Sequence, residues 1–226
     1  MPLNLRRPEP FDYSDDLTAG RRDLQADAHR FFGMLFPAGS TLLDVGSGQG
    51  WIKGRVPYPT TTYDIDRRLG PPPEGCGWVD VAGGEPPAGP FDLVTAFDAI
   101  EHVEDDLGFL RSLADRAQRA VFVTTPNWFV TRCNEAAGGS THHWREYTVN
   151  ELWCLGTRVW PEGRVLILAY YKDAAGGWWE FHRKAVPEHH RRRHGLLWFP
   201  SGDDFGDHER LVAQVTAGAQ PTRTPG

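Results

Sequence analysis

A buried strand that breaks into three glycines constrains this chain more than any other feature. Residues 42–50 read LLDVGSGQG, and the apolar run at their start is typical of a buried strand. Gly46, Gly48 and Gly50 follow with one-residue gaps. Glycine lets backbone N–H groups approach a ligand closely and tolerates positive φ. The pattern therefore predicts either a ligand-binding loop, as in dinucleotide sites, or a plain tight turn.

The composition predicts one domain with a sizeable core. The chain has 226 residues, of which 40% are hydrophobic, and this length suits a single α/β domain. The formal net charge is −6, so no general basic field is present to hold a phosphate backbone.

The cysteines and the N-terminus predict a soluble cytoplasmic protein with no membrane contact. The chain has an odd number of widely spaced cysteines, namely Cys76, Cys133 and Cys154. This pattern is typical of free thiols in a reducing compartment, without structural zinc. The first ten residues lack the apolar core of a signal peptide. The longest apolar run, 165–171, is far too short to span a bilayer.

Hydrophobic periodicity predicts alternating strands and helices, and therefore a mostly parallel, doubly wound sheet that binds ligands at the carboxyl ends of its strands. The predicted strands are 41–45, 60–65, 77–81, 91–97, 120–125, 165–171 and 178–183. The predicted helices are 18–36, 105–117 and one that begins near Thr148 with the capping-box partner Glu151. Pro57 and the RRLGPPPEG segment leave only shortened or missing helices after the first two strands.

Two acidic residues lie where predicted strands end. Asp64 lies at the end of the predicted strand next to the glycine loop, where a carboxylate can accept hydrogen bonds from a ribose diol. The alternative is a solvated turn carboxylate. Asp80 ends the third strand and could reach an exocyclic adenine amine, or could simply open the turn before Gly83.

Five short motifs, in this order and spacing, carry a resemblance to a known family. LLDVGSGQG, YDID, WVDV, FDLVTAFDAIEHVED and FVTTPN resemble the class I S-adenosylmethionine-dependent methyltransferases over about residues 40–155. The resemblance implies a Rossmann-like sheet of seven strands. It also implies a cofactor site at Asp44, Gly46, Ser47, Gly48, Gly50, Asp64, Asp80, Phe97 and Asp98.

An acidic and imidazole cluster follows the fourth strand. Asp98, Glu101 and His102 share one face if the chain turns helical there. With His143 from the loop 126–147, they form a candidate oxygen and nitrogen site for Mg²⁺ or Mn²⁺. The alternative is a histidine that packs near the cofactor without a metal.

The cluster resembles two branches of the family. Ubiquinone-biosynthesis O-methyltransferases have E-x-x-E-H-V and a later H-x-R-E-[FY]-[ST] segment. Small-RNA 3′-terminal 2′-O-methyltransferases have E-x-x-E-H and a later His before E-W-T. In this chain Asp98 replaces the first Glu of both patterns.

The sequence as a whole predicts methyl transfer from S-adenosylmethionine to a small-molecule hydroxyl, assisted by a divalent metal or by His102 or His143 as general base. One alternative is an RNA ribose 2′-O-methyltransferase, with the basic cluster at 189–194 on phosphates instead of on a solvated helix face. Another is a non-catalytic binding subunit on the same fold. The predicted organisation is an arm, a methyltransferase domain, a C-terminal extension and a disordered tail, at 1–17, 18–185, 186–217 and 218–226.

Overall fold

A computed structural model describes the central part of the chain and separate stretches on either side of it. The described residues are 28, 36–48, 50, 52–53, 56–65, 81–82, 84–128, 143–161, 164–173, 176–181 and 193–199. The predicted arm, most of the first predicted helix, Asp80 and the predicted tail lie outside these residues.

Five parallel strands form one half of the sheet, in the order β3-β2-β1-β4-β5. Their bounds are β1 Leu42–Val45, β2 Thr60–Asp64, β3 Val81–Ala82, β4 Phe91–Phe97 and β5 Ala117–Pro126. The chain order reverses between β1 and β4, so their carboxyl ends flank a crevice at the switch point of the sheet. This arrangement confirms the predicted doubly wound α/β fold.

Antiparallel strands form the other half, and the described residues contain eight sheet strands in all, where the resemblance implied seven. Their bounds are β6 Arg164–Asp173, β7 Gly176–Phe181 and β8 Arg193–Phe199. β8 lies between β5 and β6 and pairs with both. It comes from the segment predicted as a C-terminal extension, so that segment contributes a central strand. β7 forms a hairpin on β6.

Two α-helices and one 3₁₀ turn lie among the described residues: η1 Ile100–His102, α1 Asp106–Ala114 and α2 Val149–Val159. The predicted capping box is present, because the Thr148 side chain accepts from the Glu151 N–H and the Glu151 side chain accepts from the Thr148 N–H. α1 ends three residues before its predicted end, and β5 begins three residues earlier than predicted. None of the helices in this part of the chain has the length and apolarity needed to cross a membrane.

The buried core joins the central strands to both helices and β8. Leu43, Val94 and Val121 contribute the strand side, and Leu110 and Leu152 contribute the helix side. α2 lies very close to the sheet, since a Cβ built on Gly156 would come 2.6 Å from the Leu196 Cδ1 atom. The core therefore holds the carboxyl ends of β1 and β4 in a rigid frame.

Candidate active site

The glycine loop after β1 has the backbone conformation that its sequence predicts. Gly46, Gly48 and Gly50 have φ angles of +71°, +58° and +66°, a region that side chains with a Cβ rarely adopt. The N–H groups of Gly46 and Ser47 donate to the Tyr63 carbonyl oxygen at 2.9 and 3.0 Å. These bonds hold the start of the loop against the end of β2.

A second constraint on the loop comes from the turn after β4. A Cβ built on Gly46 would come 2.8 Å from the Ala99 Cβ, which is closer than real Cβ atoms approach. Gly46 is thus required both by its φ and by the close packing of two loops at the crevice.

Asp64 is buried and holds the glycine loop directly. Its Oδ2 atom accepts a hydrogen bond from the Gly48 N–H at 2.8 Å, and the residue is 3% exposed. A solvated turn carboxylate is therefore excluded. A role for Asp64 toward a ribose remains a prediction, and the loop contact is an additional role that the sequence analysis did not foresee.

The double role of Asp64 predicts a large effect of its removal. We expect Asp64→Ala to weaken binding of S-adenosylhomocysteine by about 1.5–3 kcal/mol, because a charged hydrogen bond is lost and a buried N–H loses its acceptor. Isothermal titration calorimetry measures this change. Asp66→Ala, two positions further on, is the matched control; a silent Asp64→Ala beside a damaging Asp66→Ala would show that the wrong acid has been assigned.

The polar side chains around the loop fit a polar ligand. Asp44 is buried, and its Oδ1 atom accepts from the Thr95 hydroxyl at 2.8 Å. The Ser47 hydroxyl is also buried, and it has no hydrogen-bond partner among the described residues. Buried hydroxyl groups are normally paired, so the Ser47 Oγ atom is suited to a ligand in the crevice.

Asp98, at the end of β4, has an unusual backbone that β5 stabilises. Its φ is +47°, the only positive φ of a non-glycine residue in the described ranges. The Asp98 N–H donates to the Thr124 carbonyl and side-chain oxygens at 3.1 and 3.0 Å, and the Thr124 hydroxyl donates to Asp98 Oδ1 at 3.0 Å. Such strain is typical of functional sites. Phe97, also predicted to flank the site, is buried with its ring edge-on to Phe122.

Three of the four predicted metal ligands lie together. The candidate ligand atoms of Glu101, His102 and His143 are all within 4.8 Å of one another. Glu101 is fully buried, and the two imidazole rings meet edge to face with centroids 4.9 Å apart. Asp98 is not in this group, and its Oδ1 atom accepts from Thr124.

A short segment at the end of the loop 126–147 brings His143 to this group. The Trp144 N–H donates to the Glu101 carbonyl oxygen at 2.7 Å. Glu146 Oε1 lies 2.8 Å from His143 Nδ1, so the carboxylate orients the ring and places a proton on Nδ1. His143 Nε2 is then the nitrogen that can accept a proton or bind a metal.

Two residues at the site were missed by the sequence analysis. Glu146 orients His143, and its i,i+3 spacing from that histidine was the available signal. Ile65 is 76% exposed directly after Asp64. A large apolar side chain in solvent at a ligand-binding edge is a candidate contact for an apolar ligand face, and the YDID motif contained it.

Comparisons with known proteins agree with this geometry. A family model described as a methyltransferase domain matches residues 18–206. This chain belongs to the class I S-adenosylmethionine-dependent methyltransferases. The methyltransferase has a glycine loop after β1, an acid at the end of β2 and the parallel strand order β3-β2-β1-β4-β5. No curated protein matches it.

Solved structures share the fold of this methyltransferase at low identity. A methyltransferase of Thermotoga maritima, described as a possible histamine N-methyltransferase, is 13% identical, with a TM-score of 0.60 over 82% of this chain and 96% of that one. A methyltransferase of Archaeoglobus fulgidus is 15% identical, with a TM-score of 0.56 over 82% and 100%. Magnesium protoporphyrin IX methyltransferase of Synechocystis, with bound S-adenosylhomocysteine, is 11% identical, with a TM-score of 0.54 over 85% and 90%.

Proposed function

We propose that this methyltransferase methylates a hydroxyl group of a small molecule. The observation that carries the proposal is the Glu101, His102 and His143 group beside the end of β4. A hydroxyl must lose its proton when its oxygen is methylated, and imidazole is the side chain that titrates near neutral pH. The two imidazoles next to the switch-point crevice can accept this proton.

The chemistry divides between the cofactor and the chain. S-adenosylmethionine supplies an electrophilic methyl group on a sulfonium. The acceptor oxygen forms a bond to the methyl carbon as the carbon–sulfur bond breaks, and the electrons of that bond remain on sulfur. The hydroxyl proton passes to His102 or to His143 Nε2, while the buried walls of the crevice exclude water and align the reactants.

A divalent metal held by the same three side chains is the alternative to a free imidazole base, because the donor set fits one. One carboxylate and two imidazoles suit Mn²⁺ and related ions better than Mg²⁺, which prefers oxygen ligands. Glu101, His102 and His143 would hold the ion, which would lower the pKa of the acceptor hydroxyl. Asp98, whose Oδ1 atom accepts from the Thr124 hydroxyl, is not a member of this group.

Transfer of a labelled methyl group to matched acceptors tests the proposal. We expect the protein to transfer label from S-adenosylmethionine to catechol, and we expect this transfer to depend on His102 and His143. Any transfer to aniline or benzoate should not depend on them, because only the phenolic oxygen must lose a proton as it attacks the methyl group. Transfer to aniline alone would overturn O-methylation. Salt-sensitive labelling of a 3′-terminal RNA ribose would favour the RNA alternative. Cofactor binding without transfer to any acceptor would favour a binding subunit.

A further inference from the structure

A buried aspartate at the start of α1 binds two side chains from the segment that contains His143. Asp106 Oδ2 accepts from Arg145 Nη1 at 2.6 Å and from the Tyr147 hydroxyl at 3.0 Å. The Asp106 side chain is 8% exposed and that of Arg145 is 29% exposed. Arg145 Nη2 also donates to the Glu104 carbonyl oxygen at 3.3 Å, so the guanidinium spans the turn between η1 and α1.

The protonation of Tyr147 agrees with its role as a donor in this network. Burial and the negative charge of Asp106 raise the pKa of the Tyr147 hydroxyl well above its usual range. The hydroxyl therefore stays protonated and donates a hydrogen bond to the Asp106 carboxylate. The Asp106 carboxylate thus accepts hydrogen bonds from one cationic and one neutral donor, and a buried carboxylate requires such hydrogen-bond partners.

The same segment has backbone attachments on both sides of Arg145. Trp144 donates to the Glu101 carbonyl oxygen, as described above. Tyr147 forms an isolated parallel bridge with Asn127 at the end of β5, and the Trp128 N–H donates to the Tyr147 carbonyl oxygen at 3.2 Å. Residues 143–147 are thus attached to η1, to α1 and to β5.

We infer that Asp106, Arg145 and Tyr147 form a clamp that positions His143 against His102. The inference rests on the proposed function for the role of His143 in proton transfer. The clamp side chains are positioning residues, since none of them is a member of the Glu101, His102 and His143 group. His143 lies two residues from Arg145 on a segment that is itself neither helix nor strand, so its ring position depends on the contacts that attach this segment to η1, to α1 and to β5. A displacement of about 1 Å at a reacting group can cost about 100-fold in rate.

Nitrogen NMR of the histidine rings in the full-length protein tests the clamp without any acceptor. The His143 signals are assigned by their loss in His143→Asn. In Arg145→Met we expect the His143 Nδ1 resonance to lose its hydrogen-bonded shift, while the dissociation constant of S-adenosylhomocysteine stays within twofold. Arg145→Lys should restore part of the signal. Arg158→Met removes an exposed arginine on α2 and is the matched control, with no expected change.

Milder and combined variants keep the test decisive. Asp106→Asn keeps the side-chain shape and removes the charge, so it decides the question if Arg145→Met fails to fold. An unchanged His143 resonance in folded Arg145→Met or Asp106→Asn would overturn the clamp. With catechol as acceptor, Arg145→Met should lower kcat about 100-fold in the wild-type background and add nothing in a His143→Ala background. If His143→Ala leaves turnover intact, the proposed base is wrong, and the NMR result still decides the clamp.

Discussion

Replacement of Gly46 by valine should reduce the affinity for S-adenosylhomocysteine at least 100-fold. Gly46 has a φ of +71°, and any Cβ there would come 2.8 Å from the Ala99 Cβ. A β-branched side chain adds further bulk and resists positive φ. The loop must then move from the crevice, and a loss of about 2.7 kcal/mol in binding corresponds to the 100-fold change. Calorimetry with S-adenosylhomocysteine measures it.

Two comparisons separate the local contact from general backbone strain. Gly39 has a φ of +93° and nothing within 4 Å of a built Cβ, so Gly39→Val shares the strain without the contact. We expect Gly39→Val to lower the melting temperature and to leave the affinity unchanged. In a Gly46→Ala protein, the second change Ala99→Gly should recover part of the lost affinity. Equal affinity in folded Gly46→Val and wild type would contradict the assignment of the loop to the cofactor.

Removal of either imidazole should nearly abolish methyl transfer. We expect His102→Ala and His143→Ala each to lower kcat about 10²–10⁴-fold, the usual contribution of a general acid or base. The affinity for S-adenosylhomocysteine should stay within twofold, because the glycine loop and Asp64, which we expect to bind the cofactor, are not members of the Glu101, His102 and His143 group. Glu101→Gln should also lower kcat, because it weakens the metal site. Glu104→Gln changes an exposed glutamate on the same turn and is the control.

Chelation distinguishes the metal from the base. Activity of the wild-type protein should fall in EDTA and return with Mn²⁺. Full activity in EDTA would refute metal assistance and leave His102 or His143 as a metal-free base. Turnover that survives both histidine substitutions would refute the base as well, because no third imidazole lies with these two among the described residues.

The parallel half of the sheet and its loop were predictable from the sequence because their signals are local. β4 occupies the predicted residues, and β1 and β2 differ from prediction by a single residue at one end. Each is a buried run that ends at glycine or aspartate, and such a run defines a strand without reference to distant partners. The capping box of α2 is equally local, since Thr148 and Glu151 are three residues apart.

The formation of β8 could not be predicted from its own sequence, because it depends on tertiary structure. Its segment begins within a basic cluster, and a charged run by itself indicates a solvated surface. Arg193–Phe199 becomes a strand because β5 and β6 both present unpaired backbone groups to it, and buried backbone groups must be paired. The eighth strand is therefore a consequence of neighbours that lie far away in the chain.

The sequence by itself determined the fold family, the glycine loop and the identity of most candidate site residues, because each of these follows from residue types at short spacing. Only the tertiary structure decided which of those residues meet. It brings His143 to Glu101 and His102, more than forty positions earlier, as the sequence analysis proposed, but it pairs Asp98 with Thr124 and leaves Asp98 out of that group. It also supplied Glu146, Asp106 and Arg145 as partners. The contacts of Asp98 with Thr124 and of Asp106 with Arg145 depend on the packing of separate elements against one core, and spacing along the chain carries no record of that packing.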